Sequence, residues 1–299
     1  MHRRTFLGGL AAAPVMSGAA AGIIDTHTHF YDPRRPQGVP WPAKNNRLLY
    51  RPTLPEHFRQ ITGPLGVTGT VVVEASGWLE DNQWVLDLAE QDKVIVGVVG
   101  HLDPGTPEFA ANLGRFRRNR LFRGIRVGST RIAAGMKEPA FVEDMRRLAA
   151  ANLELDAIGS TAMYGDVLAL VQRVPNLRIV LNHLPLDWPR GAEGSAAREA
   201  FAALKTHRQV YAKVSGVLRR AGDRTPADLG YYRAALDELW DNFGSRRLIY
   251  GSNWPVSDRL AAYSRALTVV REYFAAKGAA ATANYFRKNS LDAYRWIRR

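Results

Sequence analysis

Residues 23–29 of the chain read Ile-Ile-Asp-Thr-His-Thr-His, an apolar start followed by ionisable side chains at every second position. Strand side chains alternate in direction, so Asp25, His27 and His29 are predicted to share one face. Two imidazoles at this spacing can converge on one metal ion, or each can simply be a hydrogen-bonded polar residue at a strand end. The pair alone leaves both interpretations open.

Short apolar runs rich in Val, Ile and Leu recur along the whole chain. They occupy residues 22–29, 67–77, 94–102, 122–129, 153–159, 177–184, 210–216 and 248–254. Apolar residues recur about every three to four positions in the segments between them, which predicts crossover helices at 82–90, 139–151, 164–174, 196–205, 231–243 and 259–274. Eight uninterrupted strand–helix repeats predict an α/β fold, a single (β/α)8 TIM barrel over residues 23–299.

Composition excludes several classes of site. The 299 residues include no cysteine, which removes disulfides, thiolate ligands and cysteine nucleophiles. The formal net charge is +13, but the densest basic run, at 115–123, is interpreted as a solvated helix face and its following loop. No helix-turn-helix, zinc-finger, RNP, GxGxxG or P-loop pattern occurs. We therefore predict a small-molecule substrate, with no nucleic-acid partner and no nucleotide cofactor, while the oligomeric state is left open.

The N-terminus has the layout of an export signal. Residues 1–22 carry Arg3 and Arg4, then an apolar run at 6–16 and a series of small residues. This order is typical of a twin-arginine signal peptide, and a basic Ala/Gly-rich tail is the alternative. The prediction is cleavage near Ala21, a periplasmic or secreted protein, and no membrane-spanning segment after removal of the signal.

In a barrel of this kind, catalytic groups come from the C-terminal ends of the strands. Strand six ends in Leu-Asn-His-Leu-Pro at 181–185, which places His183 at the same rim as the first two histidines. Strand eight ends in Tyr-Gly-Ser-Asn-Trp-Pro at 250–255, which adds Asn253 and Trp254. We predict that these strand ends face one pocket. The segment at 31–55 is too long for an ordinary connection and is predicted to cover that pocket.

These strand ends resemble the amidohydrolase-related family, and within it the sugar lactonases of the L-fuconolactonase group. The matching motifs, in the family's order, are DTHTHF at 25–30, RGIR at 123–126, LNHLP at 181–185, KVSG at 213–216 and YGSNWPV at 250–256. The resemblance implies a hydrolase that opens a sugar or polyhydroxy-acid lactone. It further implies a divalent metal, zinc in the first instance, with His27, His29 and His183 as its ligands and the last two also catalytic. Non-oxidative decarboxylation, a reaction of related branches, is the alternative.

The sequence departs from the family at strand eight. The family usually has an aspartate there as general base and metal ligand, whereas this chain has Asn253, whose amide cannot take a proton. Candidates for the missing base are Glu74, His101, Asp156 and Asp258. A barrel that binds a ligand without turnover is therefore a further alternative.

Other polar and aromatic residues are candidates for substrate binding. Arg126 and Lys213 are predicted to hold substrate oxygens or a developing oxyanion, and the alternative is that they balance the charges of Glu74 and Asp156. Asp156 lies in an apolar strand and needs a partner if it is buried. The predicted substrate-binding set is Arg126, Lys213, His101, Asp156 and Trp254. Trp41, Trp78 and Trp188 are also placed to stack on a sugar ring or to pack, and His57 and His207 are assigned to the surface.

Overall fold

A computed structural model of the protein describes residues 22–184 and 188–299. The predicted signal peptide therefore lies outside the described residues, apart from Gly22. Within the part of the chain that the structure describes, no helix is both long and apolar enough to span a membrane.

Eight parallel strands form one sheet, in which each strand pairs with its neighbours in the sequence. The strands are β1 (Ile23–Thr28), β2 (Val67–Val73), β3 (Ile95–Gly100), β4 (Phe122–Gly128), β5 (Glu154–Ile158), β6 (Arg178–Leu181), β7 (Val210–Val214) and β8 (Leu248–Tyr250). Beyond β8, the amide of Asn253 donates to the His27 carbonyl at 2.8 Å and the amide of His29 donates to the Trp254 carbonyl at 2.9 Å. These bonds join the end of the chain's last strand to its first, and the predicted (β/α)8 TIM barrel is confirmed.

Helices fill the connections between strands. They are α1 (Pro55–Thr62), α2 (Asp81–Gln91), α3 (Phe109–Phe116), α4 (Ser129–Gly135), α5 (Pro139–Ala150), α6 (Met163–Arg173), α7 (Gly191–Ala203), α8 (Leu229–Arg247), α9 (Tyr263–Ala276), α10 (Ala279–Ala283) and α11 (Asn289–Tyr294). The six predicted crossover helices correspond to α2 and α5 through α9. Apolar spacing does not identify α1, α3, α4, α10 and α11, because these helices are too short to show a sustained apolar period.

The core has two layers, which follow from the alternation of strand side chains. One set of strand residues, including Ile125, Leu155 and Ile179, packs outward against the helices. A second cluster fills the inside of the barrel with residues such as Val71 and Val180, and Tyr294 and Trp296 from the C-terminal segment belong to it. The opposite, C-terminal ends of the strands carry the polar residues described next.

Candidate active site

Three histidines from the ends of β1 and β6 meet at the mouth of the barrel. The ring centroids of His27 and His183 are 4.4 Å apart, and those of His27 and His29 are 5.0 Å apart. His183 and Asn253 both have left-handed backbone conformations, with φ of 51° and 62°. Such conformations are uncommon outside glycine and concentrate at functional sites, where surrounding structure holds them. The structure therefore brings together the four mouth residues that the strand ends predicted.

Asp25 does not join this cluster, contrary to simple alternation. The pairing of β1 with β2 has a register irregularity between Asp25 and Thr28, which breaks the two-residue period. The Asp25 carboxylate accepts hydrogen bonds from the Ser252 amide and the Tyr263 hydroxyl, both at 2.9 Å. Burial raises its pKa to about 6 in spite of these bonds. Asp25 thus ties β1 to the segment after β8 and to α9.

The ring orientation of His29 is set by a main-chain carbonyl. Its Nδ1 lies 3.0 Å from the Val73 carbonyl oxygen, which can only accept, so the proton is on Nδ1 and the lone pair is on Nε2. Burial, then the charge of Arg126, lowers the pKa of His29 to about 3. Asn253 lies within hydrogen-bond reach of the same ring. At neutral pH, His29 is an uncharged imidazole with one nitrogen able to accept a proton.

His183 is positioned by the end of β7. Its Nδ1 lies 2.9 Å from the Ser215 hydroxyl, and its backbone amide donates to that hydroxyl at 3.3 Å. Burial, followed by the charges of Lys213 and Arg126, lowers the pKa of His183 to about 4. Sequence reasoning missed Ser215, although alternation from Lys213 places it on the inward face of β7.

A buried ion pair lies directly beneath the histidines. The Lys213 ammonium donates to Asp156 Oδ2 at 2.6 Å, and the Tyr294 hydroxyl donates to Asp156 Oδ1 at 2.7 Å. The side chains of Lys213 and Asp156 are both 0% exposed. The structure thus shows the charge-balancing alternative for Lys213 and Asp156, and neither side chain has exposed surface at the mouth.

Lys213 also decides which nitrogen of His27 carries a proton. Its ammonium lies 3.4 Å from His27 Nδ1. An ammonium has only donors, so His27 Nδ1 accepts and the ring proton is on Nε2. Burial, then the charge of Lys213, holds the pKa of His27 well below its usual value. The Nε2–H is buried and has no hydrogen-bond partner among the described residues, which makes it an available donor inside the cluster.

The residues present do not fit the predicted zinc site. Among the described residues, no group of three or more His, Asp or Glu side chains is arranged to hold a metal ion. A histidine ligand normally donates its second ring nitrogen to an acceptor, as His29 does to Val73, whereas His27 accepts from Lys213. Asn253 also stands where a carboxylate ligand was expected. We therefore assign no step of the reaction to a metal.

Arg126 and Glu74 form an ion pair at the rim. Arg126 Nε donates to Glu74 Oε1 at 2.7 Å, and its Nη2 donates to the Glu74 carbonyl at 2.8 Å. Both side chains are largely buried, at 16% and 15% exposure. The ion-pair alternative for Glu74 is thus the one that the structure shows, and its pairing argues against Glu74 as the general base. Arg126 still projects enough charge into the mouth to lower the pKa of all three histidines.

Two other predicted bases lie outside the cluster. His101 Nε2 contacts Asp103 Oδ1 at 3.1 Å, as expected for a hydrogen-bonded rim histidine. Asp258 contacts Arg51 at 3.4 Å. Neither residue is within hydrogen-bond distance of the three histidines.

The tryptophans divide into packing and covering residues. Trp254 is fully buried, and its ring packs 5.6 Å from that of Phe58, which is the packing alternative for this residue. Trp41 instead lies edge-on to His29 at 5.9 Å. The two ends of its segment are tied by backbone bonds between Tyr31 and Thr53 at 2.8 and 2.9 Å. Trp41 thus brings the segment at 31–55 against His29, on one side of the mouth. Trp78 is exposed, and Trp188 donates to Glu238.

An open cleft of about 440 Å³ extends outward from His183 and Asn253. Gly216 lies at its inner end with φ of 61°, and a side chain there would begin 3.7 Å from both His183 Nδ1 and Asn253 Nδ2. The cleft gives a small molecule access to the histidine cluster from one side.

The chain is similar to known proteins over most of its length. The amidohydrolase family model matches residues 24–296. An L-fucono-1,5-lactonase from Burkholderia ambifaria is 31% identical over 242 residues, which cover 80% of this chain and 82% of that protein. A second L-fucono-1,5-lactonase, from Burkholderia multivorans, is 27% identical and covers 84% and 88%.

The fold is also that of solved structures. A Burkholderia multivorans amidohydrolase crystallised with bound zinc superimposes with a TM-score of 0.80 at 24% identity, over 92% of this chain and 100% of that one. At this identity the likeness shows the fold alone, whereas the family model covers nearly all of the described residues. The chain is therefore a hydrolase that belongs to the amidohydrolase family.

Proposed function

We propose that the protein hydrolyses a cyclic ester, a sugar or polyhydroxy-acid lactone, at the mouth of the barrel. The observation that carries the proposal is the cluster of three uncharged histidines beside Asn253, reached through an open cleft. The two relatives named L-fucono-1,5-lactonase support the choice of a lactone.

The first requirement of lactone opening is stabilisation of the oxyanion that forms when water adds to the carbonyl. His27 Nε2–H is a buried donor held in place by Lys213, and it needs no reorganisation to bind this oxygen. Arg126 adds positive charge at the rim. Both groups interact more strongly with the oxyanion than with the neutral lactone, so they lower the barrier.

The second requirement is a base for the attacking water, and His29 fits it. Its Nε2 lone pair accepts the proton while the Val73 carbonyl stabilises the imidazolium through Nδ1–H. When the ring C–O bond breaks, the same proton passes to the departing oxygen. Asn253 beside the ring orients water or substrate through its amide, a role that does not require a carboxylate.

The proposed hydrolysis does not use a bound metal ion. Members of the amidohydrolase superfamily generally depend on a metal, and one solved relative was crystallised with zinc. In this chain the donor set described above does not fit such an ion, so we propose hydrolysis by the side chains alone.

The test combines reaction and metal content. Purified protein is screened against a panel of sugar lactones with a pH indicator that reports the released acid, while bound metal is measured by mass spectrometry. We expect ring opening by protein that lacks stoichiometric metal. Carbon dioxide release from hydroxybenzoates without lactone opening would instead establish a decarboxylase. Tight binding of lactones without turnover would establish a ligand-binding barrel.

We further propose that residues 1–22 direct export by the twin-arginine route, on the basis of Arg3, Arg4 and the apolar run that follows. Replacement of both arginines by lysine should keep the protein in the cytoplasm of a host with a twin-arginine system. Unchanged export of that variant would exclude the route.

A further inference from the structure

Three arginines line the cleft that leads from the histidine cluster. Arg219 and Arg220 follow β7, and Arg259 follows β8, on the side of the mouth where His183 and Asn253 open to solvent. None of the described residues that line this cleft is acidic. The wall facing the candidate active site is therefore strongly positive.

Three other arginines around the mouth have a carboxylate partner. Arg35 is paired with Asp81 at 2.9 Å, Arg51 with Asp258 at 3.4 Å, and Arg126 with Glu74 at 2.7 Å. The pairing of positive charge with carboxylates is thus the rule on one side of the mouth.

The cleft arginines bond differently. Arg219 Nη2 donates to the Leu184 carbonyl and Arg259 Nε donates to the Val256 carbonyl, both at 3.3 Å. Carbonyl groups fix the position of a guanidinium but do not cancel its charge. Arg219 Nε, moreover, is buried without a hydrogen-bond partner among the described residues. A buried donor without a partner is costly, and a ligand oxygen would satisfy it.

We infer that the substrate is an anionic lactone, one that carries a carboxylate or phosphate on the part of the molecule remote from the ring carbonyl. This inference rests on the proposed lactonase function and names its substrate class. The ring lies against the histidines, and the anionic group lies in the cleft among the three arginines. Guanidinium groups suit both anions because their forked donors match carboxylate and phosphate oxygens.

The experiment compares lactones that differ only in charge. The kcat/KM is measured for a neutral aldono-1,5-lactone, the same lactone with a terminal carboxylate, and the same lactone with a 6-phosphate. The cleft variant is Arg220→Gln with Arg259→Gln, and Arg219→Gln is tested separately because Arg219 is partly buried. The matched control is Arg117→Gln with Arg118→Gln, which removes the same charge from exposed positions after α3.

We expect wild-type protein to prefer one of the anionic lactones by about tenfold or more, as charge-assisted hydrogen bonds of typical strength would give. The cleft variant should lose most of that preference, and the control variant should keep it. The anionic lactone with the higher kcat/KM shows whether the cleft prefers a carboxylate or a phosphate. Preference for the neutral lactone, or equal loss in the cleft and control variants, overturns the inference.

A binding measurement separates this inference from the proposed function. Titration calorimetry uses three open-chain acids: the unsubstituted aldonate, the aldarate with a second, terminal carboxylate, and the aldonate 6-phosphate. It reports on the cleft without turnover. If no lactone is opened but an acid with the added anionic group binds tighter than the unsubstituted aldonate, and the cleft variant abolishes the difference, only the lactonase proposal fails. Equal affinity for all three acids overturns the anionic substrate in either case.

Discussion

Two layers of ionisable groups lie one above the other in the barrel, and they differ in whether a buried group has a counter-ion. The upper layer, His27, His29 and His183, is uncharged because burial lowers the pKa of each imidazole. The lower layer, Lys213 and Asp156, has no exposed side-chain surface and forms an ion pair at 2.6 Å. Burial thus removes charge from groups without a counter-ion and leaves it on groups that have one.

The lower layer controls the protonation of the upper one. The positive end of the buried pair faces the histidines, where it lowers the pKa of His27 and His183 and donates to His27 Nδ1. Lys213 therefore acts as a positioning residue: it fixes the protonation of the imidazoles without contacting substrate.

The largest effect is expected from breaking the lower layer. Lys213→Met leaves Asp156 as a buried carboxylate without its counter-ion, and loss of one partner of a buried pair costs about 3–5 kcal/mol. The free energy of unfolding, from urea denaturation at pH 7, measures this loss. The double variant Lys213→Met with Asp156→Leu removes both charges and should recover much of the stability. A single variant as stable as wild type would mean that the pair does not carry opposite charges.

The next effect tests the upper layer. His29→Gln keeps a polar side chain near Val73 but removes the proton acceptor, so kcat on lactones should fall by about 10²–10³-fold, with a smaller change in KM. His207→Gln, near the start of β7 and remote from the mouth, serves as the control. Wild-type kcat in His29→Gln would remove His29 from its proposed role as base.

Much of the upper layer could be predicted from the sequence, because each histidine ends an apolar run and lies in a family motif. Asn253 was found in the same way. The lower layer was predicted only in part. The sequence indicates Asp156 because a carboxylate in an apolar strand needs a partner. Its partner Tyr294, however, comes from α11, 138 positions away. No local sequence pattern predicts a contact between residues so far apart in the chain.

Errors in the sequence-based site have two physical causes. Alternation along β1 fails at the irregularity before Thr28, which turns Asp25 toward Tyr263. Exposure cannot be read from position at a strand end: Trp254 follows β8 at the mouth, yet its ring is buried against Phe58. The barrel itself depends on the repeated strand pattern, which is why it was predictable when these side-chain directions were not.

Acidification tests whether the histidines of the upper layer are uncharged, and its expected effect on stability is smaller. Unfolded histidines bind protons below about pH 6.5, whereas His183 and His29 stay uncharged until about pH 4 and 3 in the folded protein. The unfolded state therefore gains protons first, and between pH 7 and 5 each histidine costs about 2 kcal/mol of stability. Asp25 has the opposite sign, since its raised pKa of about 6 returns about 1 kcal/mol over this range.

For His29, His183 and Asp25 together, the expected loss between pH 7 and pH 5 is about 3 kcal/mol, and urea denaturation at the two pH values measures how stability changes. His29→Gln with His183→Gln should reduce this loss, because the titrating groups are gone. A wild-type protein equally stable at both pH values would show that the histidines are not held uncharged.

The smallest effect concerns metal. If the uncharged upper layer is a poor metal site because Asn253 has replaced a carboxylate, Asn253→Asp should improve it by supplying an anionic oxygen ligand beside His29 and His183. We expect zinc affinity, measured by competition with a chromophoric chelator, to rise by about tenfold or more over wild type, since a tenfold gain corresponds to only about 1.4 kcal/mol. Adding His183→Gln to Asn253→Asp should remove the gain, which separates binding at the mouth from binding at the surface. Tight stoichiometric zinc in the wild type, with no gain in Asn253→Asp, would contradict the assignment of the upper layer as a poor metal site. The three histidines would then be metal ligands in spite of the Lys213 ammonium beneath them.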